Sequence, residues 1–470
     1  MNQSVRWVDN GECTVHLEEQ SRRLSFFKFL RRYPIFILAF GPPIFRPFND
    51  TVDATKGILD VWSFLQVGLL SMIAFRATWR LATARSILIP KQIQSILIAA
   101  FSLGALYLVS AEYSPNRIVS AAYSILYFLT LISVFEFILD VYRNPQNWLQ
   151  SLFHLRLIAL LVLLLVVVVL FLNPKLVIGA VPGVGVRFGG GTVGAVQLIC
   201  PMIAIISAYT FLYSLESRAR SAFLFLVGLA GVVLGRSRGC ELALLLAFAI
   251  LVFLWARLDR RAVYVVISGF LIFILLSAIL VASIGGESIW NYFNRGQDLK
   301  GIESASGRTD IWNFVIQYCL SHPWGMGYVA GLRILFRNYY ALGLQIDVNG
   351  IGSAHNAFIQ VLADAGWLAL AIYLIMLVKI VRLALRYSKK QTYLKFAPDN
   401  DSRMTLECSL VMLAFILAVG LDTTGFAVPM KPDFYWLFII IAIILGVSAR
   451  MLAASRIRYF VSQSDVSGAG

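Results

Sequence analysis

Charge is scarce in this sequence. Only 14% of its 470 residues are Asp, Glu, Lys or Arg, against 59% that are hydrophobic; a soluble domain carries about 25% charged and about 45–50% apolar residues. The shortage excludes a disordered chain, a coiled coil and a water-soluble globule, because the apolar residues come in long blocks that no soluble core could absorb. Cysteine is equally sparse. Five scattered cysteines with no CxxC pair build neither a disulfide framework nor a zinc site. The glycines at Gly183, Gly185 and Gly189 to Gly191 do not form GxGxxG, and no GK[ST] follows, so the sequence offers no nucleotide or dinucleotide cradle. The predicted outer loops hold no DxD and no HExxH, hence no metal motif. Internal repeats, low-complexity tracts and a cleavable leader are not seen either; residues 1–33 are polar and read as a cytoplasmic tail.

What is present is hydrophobic length. A spanning helix needs about 20 mostly apolar residues. The pattern predicts about twelve spans, at 34–45, 58–75, 93–110, 119–141, 149–172, 192–214, 222–235, 239–256, 263–284, 356–378, 406–426 and 434–452. The expected fold is all-α: a polytopic membrane domain over 34–454, a cytoplasmic tail at 455–470, and one large outer loop at 285–354. With both termini inside, Lys and Arg are about twice as frequent in the inner segments as in the outer ones, which is the expected bias. The net charge of +15 therefore needs no nucleic acid to explain it.

Three outer segments hold arginines against that bias: Arg187 among glycines, Arg236 and Arg238 in a tight turn, and the long loop with Arg308. The run Ser306-Gly307-Arg308-Thr309-Asp310-Ile311-Trp312 predicts a helix along the membrane surface, with apolar residues at 312, 315, 316 and 319. Arg308 then stands at a helix N-terminus, suited to an anion or to lipid headgroups. His322-Pro323-Trp324-Gly325-Met326-Gly327 reads as a helix-breaking turn, with His322 structural. At the mouth of the tenth predicted span stands Ser353-Ala354-His355-Asn356. Ser353 is the expected cap, and a histidine in the first helical turn stays neutral. His355 is either a general base or a hydrogen-bonded helix-entry residue. Glu136, Glu241 and Asp422 are acids in or beside spans, functional suspects by position but too scattered for a proton relay.

In this order, Arg187, Arg236-Ser237-Arg238-Gly239, Gly307-Arg308…Trp312, Pro323-x-Gly325-x-Gly327 and His355-Asn356…Gly366 resemble the bacterial O-antigen ligase and polysaccharide polymerase family over roughly 187–366. The resemblance implies an inner-membrane glycosyltransferase with its active face periplasmic, using an undecaprenyl-diphosphate-linked glycan donor and a glycan or lipid A-core acceptor, without metal or cofactor. It implies His355 as the essential loop histidine and Arg187, Arg238 and Arg308 as diphosphate ligands. Arg236 departs from the family pattern and competes with Arg238 for that role. Asp310 and Asn356 are supporting candidates, Asp310 either orienting Arg308 or only favouring the helix start. A polysaccharide flippase or ion-coupled transporter is the alternative from another class; its polar residues belong near the bilayer midplane, whereas these crowd one face.

Overall fold

The structure is a computed structural model that describes residues 30, 34–40, 61–83, 90–143, 148–181, 185–188, 193–213, 215–235, 237–256, 308–341, 354–390, 400–423, 427–429 and 431–467. Its elements run α1 (Ile35–Phe40), α2 (Val61–Ala82), α3 (Lys91–Ser110), α4 (Arg117–Arg143), α5 (Trp148–Leu172), β1 (Ile178–Val181), β2 (Gly185–Phe188), α6 (Val193–Leu212), α7 (Arg218–Gly235), α8 (Arg238–Ala256), α9 (Arg308–Ser321), α10 (Ala330–Ala341), α11 (Ala357–Lys390), α12 (Asn400–Val419) and α13 (Pro432–Ser467). The fold is helical, as the apolar blocks require, since a helix satisfies its own backbone where no water is available. One departure from the all-α expectation is the antiparallel hairpin β1–β2, which pairs Gly179 with Arg187.

Among the described residues, six helices are long and apolar enough to cross a membrane: Lys91–Tyr113, Arg117–Arg143, Ser151–Leu172, Arg218–Gly235, Ala357–Tyr387 and Asp433–Leu452. Val196–Leu212 and Gly239–Trp255 are shorter apolar helices. The stretch 263–284 and half of 285–354 lie outside the described residues, so six is the count among the described residues. α13 is the axis of the bundle. Every residue from Phe434 to Ala449 is buried, and α1, α4, α11 and α12 pack around it. Its 434–449 stretch is apolar on nearly every side and is enclosed by protein throughout. α6 and α7 approach closely: a Cβ added at Gly228 would lie 2.7 Å from the Cys200 carbonyl oxygen, the small-residue contact by which membrane helices associate.

α9 was expected to lie on the membrane surface. Instead its apolar face is spent on protein: Ile311, Val315 and Cys319, spaced one turn apart, are buried against Leu362 and Ala363 of α11. The turn after α9 closes this unit. Met326 donates its N–H to the Ala363 carbonyl at 2.7 Å, and Tyr328 stacks on Tyr107 at 3.9 Å between ring centroids. α11 itself breaks at Ala365 and Gly366, where Gly366 adopts φ 77°. A Cβ there would collide with the Pro323 carbonyl, so glycine is required both by conformation and by space. The break separates a short helical piece, docked against α9, from the long piece that enters the bundle.

Candidate active site

The start of α11 is built by Asn356, and this corrects the expected cap. Its Oδ1 accepts the Phe358 and Ile359 N–H groups at 2.9 and 3.1 Å, the pattern of an N-cap. Ser353 lies outside the described residues. The Asn356 Nδ2 also donates to the Leu421 carbonyl at 3.3 Å, and Ala357 N–H donates to the Gly420 carbonyl at 2.8 Å. The cap thus joins α11 to the turn that follows α12.

His355 therefore precedes the cap instead of lying in the first turn. Its φ is 49°, a left-handed conformation that costs a non-glycine residue about 1 kcal/mol or more and persists where surroundings over-determine it. The ring is held neutral: burial, then the positive charges of Arg308 and Lys431, lower its pKa from 6.5 to about 4. The conclusion expected from sequence stands on different physics, since burial and two cations, not the helix dipole, disfavour the imidazolium. Lys431 is itself pushed below its ordinary value, first by burial and next by Arg333, with Asp433 acting the other way.

Arg308 is the first residue of α9. Its guanidinium forms an ion pair with Asp422, at 27% and 39% side-chain exposure respectively. Asp310, a candidate either to orient Arg308 or only to favour the helix start, is exposed in the first turn of α9; the carboxylate paired with Arg308 is that of Asp422, 114 residues away in sequence. Asp422 also lies directly against Gly239, where an added Cβ would fall on its carboxylate. That contact places the Asp422 anion at the N-terminal turn of α8, whose free N–H groups favour negative charge. Arg238 opens that helix. β2, which carries Arg187, packs on α7, the helix that leads into Ser237-Arg238. Arg236 lies outside the described residues.

The structure thus brings Arg308, Asp422, the start of α8 and His355 together. It places Arg187 and Arg238 on neighbouring elements through their backbones. Asp422 and Lys431 are the residues that sequence reasoning did not assign to the site. Asp422 was flagged only as an acid beside a span, and Lys431 was not singled out by the sequence at all. His322 is exposed, stacked on Tyr318 with 4.3 Å between ring centroids. Glu136 pairs with Arg80 at 2.6 Å and Arg76 at 3.5 Å, and Arg156 grips Glu216 with both carboxylate oxygens at 2.6 Å. No three His, Cys, Asp or Glu side chains come together as a metal site among the described residues.

Chemically, the arrangement offers a neutral imidazole next to a guanidinium whose present partner is a carboxylate. An incoming anion of higher charge would compete with Asp422 for the same fork and the same helix end. Residues 223–374 match the family model described as O-antigen ligase. The matched segment contains Arg236, Arg238, Arg308, Asp310, His355, Asn356 and Gly366, and it leaves Arg187, Asp422 and Lys431 outside. No curated protein matches the chain.

Proposed function

We propose that this chain, a membrane protein with an O-antigen ligase family segment at residues 223–374, is a glycosyltransferase that moves a glycan from an undecaprenyl-diphosphate-linked donor to an acceptor hydroxyl. The acceptor is lipid A-core in a ligase, or a lipid-linked glycan in a polymerase. The reaction is placed at the periplasmic face of the inner membrane, where no nucleotide sugar is available and the donor must arrive already activated on its lipid. The observation that carries the reading is the neutral His355 held beside Arg308, whose fork and the neighbouring start of α8 already accommodate an anion.

In this reading His355 takes the proton of the acceptor hydroxyl as the oxygen attacks the anomeric carbon. Attack from the face opposite the leaving group inverts that centre. The bond to the donor phosphate breaks, and the charge that develops on the leaving diphosphate is received by Arg308 together with Arg187 and Arg238 or Arg236. Guanidinium suits this task because its planar fork matches phosphate oxygens two at a time. Neither metal nor cofactor is invoked: fixed cations supply the charge stabilisation that a metal would otherwise give.

The test is turnover by purified, folded protein with a lipid-diphosphate-linked glycan donor. His355→Ala should lose about 10²–10⁴-fold in rate while still binding donor. A rate within about threefold of wild type would remove the base role, being far below the usual acid–base contribution. Surface glycans after deletion of the gene then separate the acceptors. Loss of long glycan with bare core identifies a ligase, and single repeats in place of long chains identify a polymerase.

A further inference from the structure

The residue before His355 is held from both sides. Ala354 is fully buried. Its carbonyl accepts the Trp312 indole N–H at 2.8 Å, and its own N–H donates to the Gln360 side-chain oxygen at 3.0 Å. Gln360 passes the restraint on: its amide donates to Asp364 Oδ1 at 2.8 Å, and the same oxygen accepts the Val329 N–H at 2.9 Å. The two peptide groups on either side of the Ala354 Cα are thereby tied, one to α9 and the other to α11 and, through Asp364, to the turn that follows Gly327. Asn356, on the other side of His355, is fixed as the α11 cap. His355 is flanked by two immobilised neighbours, which is what a left-handed non-glycine residue needs in order to persist.

The source of the first bond matters most. Trp312 is one helical turn beyond Arg308, so the two project from the same face of α9. The helix that carries the guanidinium therefore also carries the donor that grips the peptide next to the imidazole. Any shift of α9 would move Arg308 and the His355 backbone together.

We propose that Trp312 and Gln360 are positioning residues for His355: by clamping the peptide groups on either side of Ala354 they hold His355 in its left-handed conformation and keep its ring within the field of the Arg308 guanidinium. The proposal rests on the reading of His355 as the base, and neither residue touches substrate in it. The charged groups facing the ring are Arg308 from α9 and Lys431 from the segment before α13, with Asp422 acting through its pair with Arg308.

The experiment compares Trp312→Phe, which keeps an aromatic ring but deletes the N–H, with Trp367→Phe. Trp367 supplies a matched control, because its indole donates to the Cys319 carbonyl at 3.1 Å near the far end of α9. In Trp312→Phe, kcat should fall about tenfold with the donor KM within about twofold, while Trp367→Phe stays near wild type. A second readout needs no substrate: carbethoxylation of His355 by diethyl pyrocarbonate, followed by peptide mass spectrometry across the pH range. The wild-type midpoint should lie near 4; in Trp312→Phe it should move toward the ordinary histidine value, and in Trp367→Phe it should not. Gln360→Met, which removes the other half of the clamp, should shift the midpoint in the same direction.

An unchanged carbethoxylation midpoint in both Trp312→Phe and Gln360→Met would overturn the proposal. Equal losses of kcat in Trp312→Phe and Trp367→Phe would do the same, because they would reflect general loosening of α9. If His355→Ala turned over donor like wild type, the base reading would fall, and the carbethoxylation comparison would still decide the clamp.

Discussion

The acid limb of the pH–rate profile is where the site geometry makes its most demanding claim. His355 has its pKa lowered from 6.5 to about 4 by burial, Arg308 and Lys431. At pH 5.5 an ordinary histidine would be about nine-tenths protonated, whereas His355 would remain about 97% neutral and able to accept a proton. Between pH 7 and pH 5.5, kcat/KM should therefore stay nearly flat instead of falling about tenfold, and should be half lost only near pH 4. Turnover of a lipid-diphosphate-linked donor in detergent, measured from pH 3.5 to 8, reads this directly. The profile of kcat should break at higher pH than that of kcat/KM, because a bound diphosphate favours the imidazolium. Lys431 is the smallest of the three causes, after burial and Arg308. Lys431→Met should move the kcat/KM limb upward, leaving it well short of the ordinary histidine value because burial and Arg308 remain.

The same shift sets a stability control. The fold favours the neutral ring, so its contribution is complete above pH 6.5 and is lost as pH falls through about 4, amounting to about 3 kcal/mol. Samples exposed to acid and returned to pH 7 before assay separate reversible titration from unfolding. A kcat/KM profile half lost near pH 6.5 would refute the reasoning, because the imidazole would then feel neither the burial nor the two cations.

Replacing Arg308 by Ala should cost transfer about a hundredfold or more yet leave the melting temperature within a few degrees, because its partly exposed pair with Asp422 is worth about 1 kcal/mol or less. Lys should restore little, since it lacks the bidentate fork; wild-type turnover in Arg308→Ala would remove the anion seat. Gly239→Ala, a change that ordinarily favours a helix by about 1 kcal/mol, should here lower stability and activity by colliding with Asp422. The double variant with Asp422→Ala should recover stability, and additive losses would show that the collision is not the cause. A cysteine at Ser304 should react with impermeant maleimide in intact spheroplasts; labelling only after lysis would reverse the assigned orientation.

Periodicity and charge were sufficient for much of this protein. Apolar blocks at 93–110, 119–141 and 434–452 became helices because a backbone without water must bond to itself. Arg308 was legible as a helix-start residue from the Ser-Gly-Arg-Thr-Asp run. His355 was legible because the chain has only four histidines and one stands at the mouth of a span. The surface placement of α9 and the cap at Ser353 were not fixed by pattern. An amphipathic helix only announces that its apolar face needs a cover, and the cover proved to be Leu362 and Ala363 instead of lipid. Likewise the cap fell to Asn356, the residue whose amide could also reach Leu421.

The tertiary structure alone decided what surrounds the histidine and the arginine. No local rule pairs Arg308 with an acid 114 residues away, presses that acid onto Gly239, or sets Lys431 near an imidazole 76 positions before it. Sequence specifies which groups exist and which local geometry each prefers. Charge interactions decay with distance through space and are indifferent to separation along the chain, so the partners that tune a site appear only once the helices have packed.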